Sequence, residues 1–527
     1  MTLAGGGRVD PRRVAPTLLA AVLAAAYVIV SPPSLDLAAH LLRAKLFSVE
    51  GFGLWSNWWY AGHHLVMYSV LFPPFAAALT PQLAAALAAA GSAALFEPLA
   101  RGHFGERAWL GSLWFAAATA TSLYTGRLTF AFGLLPAVAT ALALQRGRRR
   151  LGPPLALITA LCSPVAALFA ALAGAAAAIG AFGERREFGP ALPGLAVVVA
   201  GLAPVALLAI VFPEGGTEPW VFSAFWPLPL VAIALALALP ARERALRAAV
   251  ALYGLGCVLS YAVPTAIGGN VVRLEELAAG PFAALLLWPA RKRLLLAAAI
   301  PLLYLQWHAP IRDVINANGP GSSSAYYQPL VSFLERQPGP PFRIEIPFTK
   351  FHWEAYAVAP RFPIARGWER QLDIEYNHLF YGGALNAATY QRWLHSLAIR
   401  FVAVADAPLD YSAVKERALI DSGLPYLRLV LRARHWRVYA VADPTPVVQG
   451  AATLSAWGPN WLSLEAQGPG TALVRVRFSP YWAITAGTGC VAPDGEFTKL
   501  SIRRAGPLRL AIRFSIGRIA ARSPRCS

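Results

Sequence analysis

The feature that most constrains this chain is a series of long apolar runs, separated by short charged clusters, through its first 307 residues or so. A helix needs about 20 consecutive apolar residues to cross a bilayer, and its backbone polar groups must be satisfied within the segment. Charged residues make up 14% of the chain, against about 25% in soluble domains. The sequence therefore predicts an α-helical polytopic membrane domain over residues 1–307, with about 11–13 transmembrane helices.

The apolar runs also predict where the spans lie. The first, from Val14 to Val30, has the look of a signal peptide, but no small-residue cleavage site follows it, so we interpret it as a retained span. Further spans are expected at 66–80, 83–99, 108–123, 128–144, 154–180 with a break at Ser163-Pro164, 191–212, 220–240, 246–264, 277–290 and 294–307.

The net charge of +19 could suggest nucleic acid as a partner. The basic residues, however, form clusters that each border an apolar run, as cytoplasmic loops do. These clusters are Arg8/Arg12/Arg13, Arg146/Arg148/Arg149/Arg150, Arg242/Arg244/Arg247 and Arg291/Lys292/Arg293. The pattern predicts a multi-pass protein of the cell membrane, with the bilayer rather than nucleic acid as its partner, a cytoplasmic N-terminus and an extracytoplasmic C-terminal domain.

Strict alternation of the spans conflicts with this orientation at one point. Counting from a cytoplasmic N-terminus through 66–80, 83–99 and 108–123 places the cluster at Arg146–Arg150 outside, whereas the charge rule places it inside. One of these three segments is therefore expected to be partial, re-entrant or surface-lying. Pro73-Pro74 makes 66–80 the strongest candidate.

The last 220 residues have a different sequence pattern, which predicts an ectodomain of α/β plus β-sandwich-like character. A polar linker at 308–325 is followed by an α/β part at 326–445 and a β-rich part at 446–527, where short segments alternate with a period of two. Cys490 and Cys526 lie in this β-rich part, and the sequence leaves open whether they form a disulfide. The polar and aromatic stretches Arg366–Asp373 and Tyr376–Tyr381 suit either carbohydrate binding or a loop that packs on the membrane domain, and we favour packing.

The first external loop, residues 32–65, carries the clearest candidate chemistry. Asp36, His40 and Arg43 are spaced i, i+4 and i+7, so on a helix they share one face. A carboxylate, an imidazole and a guanidinium could there accept a proton, orient a hydroxyl and hold a phosphate. Alternatively, Asp36 is a helix cap.

The same loop is rich in aromatic residues and histidines. Trp58, Trp59 and Tyr60 could stack on sugar rings, or they could form an ordinary aromatic belt at the membrane interface. His63 and His64 could contribute to the same acceptor-binding surface or be plain loop residues.

A second polar group lies between two late apolar segments. This group consists of Asn270, Arg273, Glu275 and Glu276. Ionisable side chains so close to hydrocarbon cost free energy unless they are paired or functional. Arg273 could bind a phosphate or form an ion pair with Glu276 at i, i+3. Arg127 is a weaker phosphate candidate of the same kind.

The first loop resembles that of the GT-C superfamily of integral-membrane glycosyltransferases. In that superfamily the first span precedes a large external loop that carries an acidic catalytic residue and ends in a Gly-containing turn and a Tyr/Pro-Pro stretch. The matching positions here are Asp36, Trp58, Gly62, Tyr68 and Pro73-Pro74, and Tyr124-Thr-Gly-Arg127, Cys162-Ser-Pro and a trailing ectodomain also look similar. The second acidic residue of many members is not evident, with Glu50, Glu97 and Glu106 as the candidates.

The resemblance implies an enzyme that transfers a hexose or pentose from a polyprenyl-phosphate donor to a cell-envelope glycan or other acceptor at the outer face. Asp36 would be the general base, Arg273, Asn270, Arg127, His40 and Arg43 would bind the donor phosphate, and the aromatic residues and histidines of the loop would contact the acceptor. A divalent metal is possible, and no other cofactor is implied. The alternative is a non-catalytic transporter, flippase or envelope-assembly scaffold.

Overall fold

The computed structural model describes residues 10–317 and 319–527, so Arg8 of the first basic cluster lies outside the described residues. The chain forms two compact units. The first consists of residues up to Leu37 together with Tyr68–Leu207 and Glu218–Asn316, and the second consists of Ala38–Met67, Leu208–Thr217 and Ala317–Ser527. The second unit therefore includes most of the loop that the sequence placed in the 1–307 domain, because this segment packs against residues far along the chain.

Helices dominate residues 10–317. They are α1 Pro11–Val30, α2 Leu37–Glu50, α3 Phe72–Leu79, α4 Pro81–Phe104, α5 Trp109–Tyr124, α6 Leu128–Gln145, α7 Gly152–Cys162, α8 Pro164–Arg185, α9 Leu192–Val211, α10 Phe222–Phe225, α11 Pro227–Ala238, α12 Arg244–Ala262, α13 Val272–Leu287 and α14 Lys292–Ala317. The protein is thus a helical polytopic membrane protein.

Seven helical segments among the described residues are long and apolar enough to cross a membrane. They are Pro11–Val30, Pro81–Tyr124, Leu128–Gln145, Pro164–Glu184, Gly189–Val211, Arg244–Ala262 and Lys292–Ala317. The second of these contains both α4 and α5, and two shorter apolar helical segments lie at Gly152–Cys162 and Phe222–Ala238. The number of long segments is below the expected 11–13 spans because several predicted spans form helices too short to cross alone.

Two local predictions about the spans are confirmed. The helix in the 66–80 segment is only α3, with 8 residues, so it rises about 12 Å and is too short to span. The 154–180 segment breaks at Ser163, whose hydroxyl caps α8 by accepting a hydrogen bond from the Ala166 backbone N–H at 3.3 Å. Pro164 takes the first position of α8, where its missing N–H costs no helical hydrogen bond.

The second unit contains two short strands from the first loop and the elements of the C-terminal domain. The loop strands, β1 Trp55–Ser56 and β2 His63–His64, form an antiparallel pair. The C-terminal helices are α15 Ser324–Glu335, α16 Glu354–Ala357, α17 Arg370–Tyr376, α18 Ala387–Ser396 and α19 Val414–Asp421. The C-terminal strands are β3 Arg343–Glu345, β4 Ile399–Ala405, β5 Leu427–Arg432, β6 Trp436–Val441, β7 Val448–Gly450, β8 Ala452–Trp457, β9 Trp461–Ala466, β10 Gly470–Arg477, β11 Trp482–Ala486, β12 Gly489–Asp494, β13 Phe497–Ile502, β14 Gly506–Ile512 and β15 Arg525–Cys526.

These strands form an α/β part and a β-sandwich. The α/β part has a four-stranded sheet in the order β3-β4-β6-β5. The sandwich pairs a five-stranded sheet, β15-β12-β13-β10-β7, with a four-stranded sheet, β11-β14-β9-β8. Inward-facing residues of both sheets, such as Leu464, Val474 and Leu500, build one apolar core. The predicted mixture of α/β and sandwich character is confirmed, and Cys490 and Cys526 form a disulfide between β12 and β15.

Candidate functional site

Asp36 lies in the turn between α1 and α2, and the chain before α6 packs tightly against this turn. Gly126 has a φ of +80°, and a Cβ atom at this position would lie 2.4 Å from the Ser34 hydroxyl oxygen and 3.2 Å from the Asp36 backbone nitrogen. Only glycine fits both the left-handed backbone and this close approach. The Tyr124-Thr-Gly-Arg127 stretch therefore packs directly against the Asp36 turn, and Gly126 permits this contact.

Asp36 is only partly exposed, and two guanidinium groups act on it. Burial raises the pKa of its carboxyl group to about 7, although the positive charges of Arg273 and Arg127 lower it. The negative charges of Glu218 and Asp313 raise this pKa further. A carboxyl group poised near neutral pH can accept a proton from a substrate hydroxyl.

The two arginines near Asp36 differ in their partners. Arg127 forms an ion pair with Glu276, and Glu276 is itself positioned by Gln306, whose side-chain amide donates to its backbone carbonyl at 2.5 Å. Arg273 donates to the side-chain oxygen of Asn270. The ion pair of Glu276 is therefore with Arg127 rather than with Arg273 at i, i+3, and Arg273 is held by a neutral amide.

The first unit thus brings together four of the predicted site residues: Asp36, Asn270, Arg127 and Arg273. The acid Asp313 on α14, which no sequence pattern indicated, acts electrostatically on both Asp36 and Arg127.

The acids proposed from sequence lie elsewhere. Near the end of α4, Arg101 binds Glu97 through Nε and Glu106 through Nη1, each at 2.6 Å. Glu50 belongs to the second unit.

His40 and Arg43 do not share a unit with Asp36. Both lie on α2 within the second unit, where they are buried. Arg43 forms an ion pair with the carboxylate of Glu369 there. Its charge is already balanced by this acid, so its position favours a structural role over the predicted contact with a phosphate.

The aromatic residues of the loop are buried within the second unit. Trp59 donates from its indole N–H to the Ala355 carbonyl at 3.2 Å, and Tyr60 donates from its hydroxyl to the Glu369 carbonyl at 2.9 Å. Trp58 is also buried. Both interpretations of this cluster, sugar stacking and an interfacial belt, require exposed rings, so the structure favours packing instead.

His63 and His64 are buried as well. The His63 ring stacks on Trp59, with centroids 5.6 Å apart, and burial lowers its pKa. The His64 ring bonds the carboxylate of Glu214 at 2.8 Å through Nδ1 and the hydroxyl of Ser479 at 3.2 Å through Nε2. A serine, a histidine and an acid in this order resemble a hydrolytic triad.

This triad-like group is better explained as a structural link. The Ser479 side chain is fully buried, so its hydroxyl is closed to a substrate carbonyl. Glu214 also accepts a hydrogen bond from the Tyr376 hydroxyl at 2.6 Å. The group therefore ties the 208–217 segment into the second unit.

A third polar group fills the interior of the α/β part. The Arg366 guanidinium, in a side chain 1% exposed, lies 4.0 Å from the ring centroids of both Phe348 and Phe380. It binds Asp373 at 2.6 Å and Glu416 at 3.2 Å. These groups are enclosed by the α/β part itself, which favours internal packing over a carbohydrate-binding surface.

Within residues 10–317 and 319–527, no group of three or more His, Cys, Asp or Glu side chains is arranged to hold a metal ion.

No family model matches the chain, and no curated protein matches it. Among solved structures the chain is similar to two classes of a cryo-EM structure of a mutant arabinofuranosyltransferase AftD from mycobacteria. The identities are 14% and 12%, and the TM-scores are 0.44 and 0.47. Each match covers 98% of this chain and 61% or 60% of the AftD chain, so the chain spans about three fifths of the length of these structures. Likenesses this low do not assign a family.

Proposed function

We propose that this protein is a membrane glycosyltransferase that uses a polyprenyl-phosphate sugar at the outer face of the membrane. The observation that carries the proposal is the environment of Asp36, a partly exposed carboxyl group with a pKa near 7 and two guanidinium groups acting on it. The resemblance of the first loop to GT-C glycosyltransferases supports the same assignment. A cell-envelope glycan is the proposed acceptor.

The proposed reaction is a single displacement at the anomeric carbon. Asp36 accepts the proton of the acceptor hydroxyl while the acceptor oxygen forms a bond to the anomeric carbon. The bond between that carbon and the phosphate oxygen breaks, and its electron pair leaves with the lipid phosphate. Because one bond forms as the other breaks on the opposite face, the anomeric configuration is inverted.

Arg273 is the proposed partner of the departing phosphate. Its guanidinium bonds the neutral Asn270 amide, so its charge can stabilise an added anion through charge-assisted hydrogen bonds. Arg127 already forms an ion pair with Glu276 and acts on Asp36 mainly through its charge. A lipid-linked donor fits this site because nucleotide sugars are confined to the cytoplasm.

The test is an Asp36→Asn variant of the full chain in proteoliposomes, assayed for sugar transfer from a radiolabelled polyprenyl-phosphate pentose or hexose. The amide has nearly the same shape but cannot accept the proton, so we expect activity to fall by about 10²- to 10⁴-fold. Asp494→Asn, at an exposed position of β12, is the matched control. If the Asp36→Asn and Asp494→Asn variants had equal transfer activity, Asp36 would not be the general base.

A further inference from the structure

The helices of the first unit line a partly open cavity that the proposed reaction does not use. Its volume is about 600 Å³, and its walls come from α4, α5, α6, α8, α9, α11, α12 and α13. The lining is mainly apolar, with Phe96, Leu134 and Phe169 among its residues. Ligand sites between helices usually measure about 300–1,000 Å³, so the cavity is large enough for a lipid chain.

One end of this cavity is basic. Arg149 and Gly147, which follow the end of α6, line the cavity there together with Gln145. Arg149 belongs to the cluster Arg146/Arg148/Arg149/Arg150. His103 also lines this end, but its imidazole Nε2 bonds the carboxylate of Glu243 at 2.9 Å. Arg149 is therefore the cation that a ligand at this end would meet.

The cavity also reaches the first turn of α13, where it is acidic. The Glu275 side chain lines it there and is 8% exposed. The Oε1 atom of Glu275 makes no hydrogen bond within the described part of the chain. A carboxyl group at this end disfavours a phosphate, whereas a guanidinium at the other end attracts one. The charges of the cavity thus orient an anionic amphiphile with its head at Arg149.

The basic end is far from Asp36 along the fold. Gly126, which contacts the Asp36 turn, immediately precedes Arg127 and α6, and Arg149 follows the other end of that helix. The 18 residues of α6 rise about 27 Å, nearly the thickness of the hydrocarbon core. A lipid head at Arg149 therefore lies at the opposite end of this span from the proposed reaction centre.

We propose that this cavity binds one anionic phospholipid of the bilayer, with an acyl chain among the apolar side chains and the phosphate at Arg149. Basic pockets between transmembrane helices bind anionic lipid headgroups by this combination of charge and apolar burial. A zwitterionic lipid would bury its acyl chain equally well, but the guanidinium of Arg149 would attract its headgroup less strongly. This lipid site is separate from the one proposed to hold the sugar donor.

The test uses the full chain in nanodiscs of equal parts phosphatidylglycerol and phosphatidylcholine, with retained lipids counted by native mass spectrometry. We expect the unmodified chain to retain one phosphatidylglycerol molecule. Ala141→Phe, which places a ring inside the cavity, should abolish this retention. Ala206→Phe, at an exposed position of α9, is the matched control and should retain the lipid. Retention by Ala141→Phe equal to that of the control would overturn the proposal.

A second variant tests the charge without changing the packing. Arg149→Gln should lower the ratio of retained phosphatidylglycerol to phosphatidylcholine by about fivefold, since one basic residue near an anionic lipid is worth about that factor. Arg150→Gln removes a neighbouring exposed charge that does not line the cavity and should leave the ratio unchanged. Equal ratios in both variants, or no preference for phosphatidylglycerol in the unmodified chain, would contradict the assignment. Neither readout depends on glycosyl transfer.

Discussion

The Arg366 network of the second unit and the Asp36 site of the first unit differ in the exposure of their charged groups. In the second unit Arg366 is enclosed by two phenylalanine rings and neutralised by Asp373 and Glu416. In the first unit Asp36 stays partly exposed, and burial raises its pKa to about 7 despite two nearby arginines. Burial also raises the pKa of Glu416 in this network, but Glu416 is fully buried, whereas Asp36 is partly exposed. Partial exposure, rather than a raised pKa alone, therefore distinguishes the acid proposed for chemistry from the structural charges.

The strongest test of this contrast removes the arginine at the centre of the Arg366 network. Arg366→Met keeps most of the side-chain volume but leaves Asp373 and Glu416 buried without their cation. We expect the free energy of unfolding of the second unit to fall by about 3–5 kcal/mol, measured by denaturant titration followed by tryptophan fluorescence.

The control for this variant is Arg361→Met. Arg361 forms an exposed ion pair with Glu335 at 2.9 Å, and such pairs contribute about 0–1 kcal/mol. If Arg366→Met lowered the free energy of unfolding no more than Arg361→Met does, the Arg366 network would not stabilise the second unit.

The next largest effect concerns the proton at Asp36. The base must be ionised to act, so kcat/KM should rise about tenfold per pH unit up to pH 7 and then level off. Arg273 on α13 and Arg127 before α6 lower this pKa, whereas Glu218 and Asp313 raise it. A profile of kcat/KM between pH 5 and 9 checks this, and a flat profile would contradict the role of Asp36 as base.

The same group should affect stability with the opposite sign. The folded pKa of about 7 lies above the unfolded value of 3.8, so between these values the folded chain binds more protons than the unfolded chain. The contribution of Asp36 to stability is therefore full below pH 3.8, declines as pH rises and is lost above about pH 7. Asp36→Asn should remove this decline, which thermal unfolding at pH 5 and pH 8 can measure.

The smallest expected effect comes from Gly126, which supports the Asp36 turn. Gly126→Ala adds left-handed backbone strain of about 1–3 kcal/mol and pushes its Cβ atom into Ser34. We expect lower thermal stability and lower transfer activity together, because the turn must move.

Gly423→Ala is a matched control for that variant. Gly423 has a φ of +82°, close to that of Gly126, but a Cβ atom there would have nothing within 4 Å. It should reproduce the backbone strain and leave activity unchanged. Loss of activity in both variants would show that the contact with Ser34 is not the cause.

Much of the fold followed from local sequence patterns. Apolar runs predicted the spans, Ser163-Pro164 predicted a helix break, and short segments alternating with a period of two predicted the sandwich character of the C-terminal part. These features were predictable because they depend on hydrophobicity, capping and periodicity within a few residues.

The environment of the loop residues could not be predicted in this way. The indole N–H of Trp55 and the backbone carbonyl of Gly458 both bond the side chain of Asn57, and Tyr60 bonds the backbone of Glu369. Whether such aromatic side chains are buried or exposed depends on partners hundreds of residues away. No local sequence pattern indicated Asp313 for the same reason, because only the packing of α14 brings its carboxylate charge close enough to act on Asp36.

The composition of the second unit has a consequence for how this protein could be divided or recombined. The chain leaves one unit for the other after Leu37, Met67, Leu207, Thr217 and Asn316. A fragment beginning at Ala317 would lack Phe212, which packs on Tyr481, and Trp55, which packs on Trp482. The C-terminal region is therefore not a detachable module. Gene fusion or domain exchange at the last span would therefore leave the second unit with an incomplete core.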